Sequence, residues 1–169
     1  MISAIFSLLV ILVLSIVPVE NKIIIFDSPE KVFYYTCVGE IEDIIYGDQS
    51  CMVIYSTQNS YSYKIIPRTE KGYQIGNVFS NRRVYRGLNQ GNSADILQLQ
   101  GTDDYYLWAT FLSLNSDITV SDSIHSSFQY IENRGNMNAF VTYGFIDDLP
   151  DHYSLYLDDK EIFKVERLL

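Results

Sequence analysis

Few side chains in this chain are placed for chemistry, and they are scattered. His125 lies in "SIHSS" and His152 in "DLPDHYS". Either imidazole could act as a base, but neither has a nucleophile at a recognisable spacing. Both read as exposed loop histidines. "FIDDLPDH" crowds Asp147, Asp148, Asp151 and His152. Hard oxygen ligands of this kind suit Ca²⁺, yet the spacing matches no calcium loop, and Asp favours turns for its own backbone hydrogen bonds. "GTDDYY", with Asp103 and Asp104, reads as a plain turn before a strand. Cys37 and Cys51 are the two cysteines, and with the two histidines they lack zinc-site spacing. No GxGxxG, GxSxG or HExxH occurs. These residues predict no catalytic group, no metal and no cofactor.

Tyrosine is the more suggestive residue. The chain has 14 tyrosines and 9 phenylalanines against one tryptophan, Trp108. Aromatic rings pack well on a pleated sheet, which accounts for most of the excess. Tyrosine also offers an apolar body with a polar tip, suited to stacking on a sugar ring or meeting another protein. Neighbouring strand residues face opposite ways, so in pairs such as Tyr34–Tyr35 and Tyr105–Tyr106 at most one ring faces the core. Tyr34, Tyr61, Tyr63, Tyr105 and Tyr143 are the candidate ligand-binding residues.

The charge balance narrows the partners. Net charge is −9 and the isoelectric point about 4.5. Nucleic-acid binding draws most of its affinity from phosphate neutralisation by a basic footprint. The chain has only the small spot Arg82–Arg83 with Arg86, read as a turn-flanking solvated patch, so nucleic acid is set aside. A small molecule, a glycan or a protein remains.

"MISAIFSLLVILVLSIVPV" carries no charge. The run Ile2–Val17 suits a secretory leader in length and is short for a transmembrane helix. It lacks an n-region Lys or Arg, and its cleavage signal is poor, so a signal peptide and an uncleaved anchor both stand. Residues 1–20 form this leader, and a single domain occupies 21–169. The expected location is extracellular, secreted or held at the membrane by residues 1–20. Export permits disulfides, and a Cys37–Cys51 bridge is expected, worth about 3 kcal/mol on the chain-entropy model. The alternative is two buried free thiols. No N-x-Ser/Thr sequon exists.

The elements that must position these residues are short strands. "KVFYYTCV", "CMVIYS", "YSYKIIP", "RRVYRG", "ADILQLQ" and "NAFVTYGFI" alternate or run apolar between turn residues. "YYLWATFLSL" is apolar on both faces, which predicts a central strand covered on both sides, with Trp108 in the core. "LNSD" reads as a turn leading into "ITV", a hairpin with the preceding strand. Asp158–Asp159–Lys160 predicts a second hairpin. Gly144, inside a strand, predicts a bulge or a close backbone contact. No window of eleven residues after Asn21 has clear helical spacing, and "EIEDII" is the best helical alternative. The expectation is an all-β fold, a single antiparallel β-sandwich of jelly-roll type after the leader.

The order of these features resembles the farnesoic acid O-methyltransferase domain family of animals. "VFYYTCVGEIEDIIYGD" carries Asp43 followed by Ile44–Ile45. "YKIIPRTEKGYQIGNVFSNRRVYRG" keeps a strand and its arginines, with Ile66–Pro67 in place of a glycine pair. "YYLWATFLSLNSDITVSD" keeps Trp108, the turn Asn115–Ser116–Asp117 and Ile118-x-Val120, but lacks the second tryptophan and a glycine. "FQYIEN" supplies Phe128 and Tyr130, and "AFVTYGF" keeps Gly144 with Phe145 for a tryptophan. The resemblance implies a β-sandwich similar to carbohydrate-binding domains. The family name implies S-adenosylmethionine-dependent methyl transfer to a sesquiterpenoid acid. The chain has no Gly-rich strand-to-helix turn to cradle that cofactor. Ligand binding is therefore the expected function, with a methyltransferase of this type or a protein-interaction domain as alternatives.

Overall fold

A computed structural model describes residues 24–58, 60–76, 81–89, 92–112, 118–125, 128–132, 139–149 and 151–166. The leader and the "LNSD" turn lie outside them. Twelve strands and one helix occupy the described residues. The fold is all-β and sandwich-like, as expected, but its strands form three antiparallel sheets rather than two.

The helix, α1 (Pro29–Thr36), replaces the strand expected over "KVFYYTCV". Ser28 holds the extended N-cap backbone and Pro29 opens the first turn, where its fixed φ suits a helix and its missing N–H goes unneeded. Glu30 lies in the first turn, where a negative charge is favoured. Val32 and Phe33 then share one face and pack on Cys51, Val53 and Ile66. Eight residues are too few for a helical period to show against aromatic and β-branched side chains that favour strands.

Beneath the helix lies the front sheet: β1 (Glu40–Tyr46), β2 (Ser50–Ser56), β3 (Tyr61–Thr69) and β4 (Gly72–Tyr73), in that spatial order. "EIEDII" is thus an edge strand, and not the helix that was its alternative reading. The β2 burial pattern is nearly continuous because α1 covers one face and the next sheet the other.

The central sheet has the order β5-β6-β7-β10-β9. Its members are β5 (Asn81–Asn89), β6 (Asn92–Leu99), β7 (Tyr105–Leu112), β9 (Gln129–Glu132) and β10 (Ala139–Ile146). β7 is its middle strand, covered on both sides as its sequence predicts. Tyr106 and Trp108 face Met52, Ile54 and Ile65 of the front sheet. Leu107, Ala109 and Phe111 face the opposite core. Trp108 is a core residue, 8% exposed.

That second core is closed by the back sheet, order β12-β11-β8, made of β8 (Val120–Asp122), β11 (His152–Leu157) and β12 (Lys160–Glu166). Val120, Tyr153, Leu155 and Phe163 cover the central sheet there. The expected hairpin between "YYLWATFL" and "ITV" does not form. β7 pairs with β6 and β10, while β8 pairs with β11. Val120 completes the back core, which needs an apolar strand more than β7, already paired on both edges. The expected β11–β12 hairpin does form, with Asp158 and Asp159 at φ 49 and 61, the left-handed values of a two-residue turn.

The expected disulfide is absent: Cys37 and Cys51 are both free. Cys37 caps α1 near Lys64, whose β-partner is Val53. Cys51 is two residues along β2 from Val53, about 7 Å on. A bridge needs its Cβ atoms about 4 Å apart. Cys51 instead packs fully buried under α1.

Candidate functional site

A cleft of about 470 Å³ opens where the edge strand of the front sheet overlies the central sheet. β1 supplies Asp43, Ile44, Ile45 and Tyr46. β10 supplies Tyr143, Gly144 and Phe145, the connection after β8 supplies His125 and Phe128, and β9 supplies Gln129. Three devices hold these groups in place.

The first is the Asp122 carboxylate, its side chain wholly buried at the end of β8. Its Oδ1 accepts the backbone N–H of Ile124 at 2.7 Å and that of His125. Its Oδ2 accepts the Tyr153 hydroxyl at 2.8 Å and meets His125 Nδ1 at 3.1 Å. With the imidazole neutral, the proton on Nδ1 leaves Nε2 as an acceptor. The Tyr153 phenol is pushed far above its ordinary range by burial and then by the Asp122 charge, so it acts as a permanent donor. His125 is therefore half-buried and fixed by a carboxylate, not a free loop histidine. Its ring also lies 5.2 Å from that of Phe128.

The second device is Gly144. A Cβ there would come within 2.4 Å of the Phe128 ring. The close contact expected at this glycine is with that ring, which seats Phe128 at the cleft wall. The third is Asp43, on a strand whose register shifts between Ile41 and Asp43. Such an irregularity re-aims side chains at a sheet edge. Asp43 accepts the Ile44 N–H at 2.7 Å and lines the cleft with Tyr143. Burial first, and the Asp43 charge second, keep the Tyr143 phenol neutral far above its usual range. Tyr46 is half exposed at the rim, its phenol also raised by partial burial.

The candidate tyrosines are not gathered into one site. Tyr143 lines the cleft. Tyr61 and Tyr63 face the central sheet from β3, Tyr63 with its ring 5.0 Å from that of Trp108. Tyr105 is buried in the opposite core, and Tyr34 lies in solvent on the outer face of α1. The residues that complete the cleft, Asp43, Tyr46, His125 and Gln129, were not among the candidates. One signal for them was in the sequence: Asp122-x-x-His125, the spacing at which an Asp side chain accepts the amides two and three residues on.

Two further polar clusters lie between the front and central sheets. Asp104 accepts the Asp48 and Gln49 N–H groups at 3.1 and 2.9 Å and the Ser50 hydroxyl at 2.5 Å. Ser50 Oγ is 2.9 Å from the Tyr106 hydroxyl. Asp104 is thus the buried hub of a network and not a plain turn residue. Elsewhere Arg83 Nε lies 2.9 Å from Asp95 Oδ1, with Arg86 at 3.9 Å. Burial raises the Asp95 carboxyl against the pull of both arginines. These arginines sit within β5, so they do not flank a turn. Among the described residues, no three His, Cys, Asp or Glu side chains converge as a metal-binding group. No described helix is long and apolar enough to cross a membrane.

No protein-family profile, curated protein or solved structure matches the chain.

Proposed function

We propose that this chain is an extracellular binding module that takes a small hydroxyl-rich ligand, of mono- or disaccharide size, in the cleft between β1 and β10. The observation that carries this reading is the convergence of unlike groups on one opening: the half-exposed Tyr46 ring, His125 fixed by buried Asp122, and the polar ends of Asp43 and Gln129. An aromatic face beside oriented donors and acceptors is what a sugar ring, apolar on its faces and polar at its edge, requires. The volume lies within the range of small-ligand sites. The neutral Tyr143 phenol, near the Asp43 charge, backs the polar side of the cleft.

A glycan array followed by calorimetry tests the proposal. Tyr46→Ala and His125→Ala are each expected to weaken the selected glycan at least about tenfold, a loss of about 1.4 kcal/mol. Unchanged affinity in both variants removes the cleft as the site, and the absence of any glycan response removes the ligand class. S-adenosylmethionine belongs in the same titration, since heat from it would favour the methyl-transfer alternative over glycan binding.

A further inference from the structure

The outer face of α1 carries an apolar surface with no part in the cleft. Residues three and four apart on a helix share a face. Lys31, Tyr34 and Tyr35 lie opposite the buried Val32 and Phe33. Tyr34 is 61% exposed and Tyr35 52%, and Val38 just past the helix is 91% exposed. With Ile25 they make four of the seven exposed large hydrophobics among the described residues. The patch is therefore a concentration, not scatter. Its rings are held from below, Tyr34 against Phe33 at 5.2 Å and Tyr35 against Phe26 at 5.4 Å between centroids. Two ammonium groups border it: Lys31, paired with Asp27 at 2.7 Å, and Lys64, bonded to Thr36 Oγ1 at 2.7 Å.

We propose that this face docks on a lipid bilayer surface, as a second contact beside the apolar leader. Tyrosines with lysines at their edges are the side chains that settle at the membrane–water interface. The charge-free stretch Met1–Val19 precedes Ile25 by five residues. That spacer spans at most about 20 Å when extended. A bilayer holding the leader would keep the α1 face within that reach of the headgroups, so the second contact forms at high effective concentration. The front sheet carries α1 on one face and the central sheet on the other, so docking through α1 leaves the cleft beside β1 unobstructed.

The test uses the full chain reconstituted with phosphatidylcholine vesicles. Val38→Trp places an indole on the patch, with buried Trp108 of the unsubstituted chain subtracted as reference. Its emission is expected to shift to the blue on vesicle addition and to be quenched by lipids brominated near the headgroup end of the acyl chain. Adding Tyr34→Ser and Tyr35→Ser is expected to abolish that quenching while the chain still floats with the vesicles. Three results overturn the proposal: no co-flotation of the full chain, an indole emission that stays at its aqueous position on floated protein, or a blue shift that appears without lipid as the protein is concentrated. The last would assign the face to a second copy of the chain.

Discussion

Asp104 joins two layers through one carboxylate. It is 2% exposed, stands at the start of β7, and caps the β1–β2 turn of the front sheet through two N–H groups and the Ser50 hydroxyl. Gly47 in that turn leaves the room: a Cβ there would lie 2.7 Å from both Asp104 Oδ2 and the Tyr106 hydroxyl. Hydrogen bonds to a charged acceptor are worth roughly 1.5–3 kcal/mol in net terms. Asp104→Asn keeps the shape but loses the charge and one acceptor, so chemical denaturation should show a stability loss of about that size. Tyr106→Phe, which removes a single neutral hydroxyl, should cost about 0.5–1.5 kcal/mol. An Asp104→Asn variant as stable as the unsubstituted chain would mean that the network merely decorates the turn. The two cysteines make a second contrast at this scale. Cys37 is partly exposed, and Cys51 is buried with its thiol pushed up to about 12 by burial first and by nearby Glu30 second. A thiol reagent at neutral pH should therefore modify one cysteine in the native chain and two after denaturation. Fast labelling of both in the native state would contradict the packing of α1 over β2.

At the scale of elements, the sequence was most informative where pattern and burial agree. β7 reads as a central strand because both of its faces are apolar, and both are in fact covered. The β11–β12 turn reads as a hairpin because Asp158 and Asp159 tolerate left-handed backbone, and both adopt it. The preferred pair for such a turn ends in Gly. Asp159→Gly should raise the midpoint of thermal unfolding, by about 0.5–1 kcal/mol in stability, because Asp strains at φ 61 where Gly does not. A lower midpoint would show that the Asp159 side chain contributes more than its backbone strain costs. What the sequence hid was non-local. The strand reading of "KVFYYTCV" failed because Pro29 and packing on β2 outweigh the local preference of Val, Phe and Tyr. The hairpin after β7 failed because β8 pairs with β11, more than thirty residues further along. The cleft was hidden for the same reason: Asp43, His125 and Tyr143 come from separate parts of the chain and meet only through sheet stacking.

The whole molecule is a stack of α1, the front sheet, the central sheet and the back sheet, with an apolar cluster at each junction. Burial raises the acid groups that these junctions enclose: the Cys51 thiol and the phenols of Tyr106, Tyr143 and Tyr153. An unfolded chain would release the Cys51 proton near 9 and tyrosine protons near 10, while the folded chain holds them. The unfolded state then binds fewer protons, so stability falls as pH rises. The contribution of these groups is fully present below pH 9 and is lost through 12 and beyond. Cys51 alone accounts for at most about 4 kcal/mol over that window. Thermal midpoints measured from pH 8 to 11 should fall steadily, and less steeply in Cys51→Val. A flat profile would mean that these side chains reach water in the folded state.

The doubly covered central sheet also bears on how the chain reaches this state. β7 finds β6 across a short turn, but its other edge waits for β10 and its two faces wait for separate sheets. "YYLWATFL" carries no charge, proline or glycine. Until the last layer arrives it is an uncovered strand of high β-propensity, the kind of segment that pairs with its copies in other molecules. The arrangement that makes β7 the best-protected strand of the finished molecule makes it the chief aggregation hazard of the unfinished one.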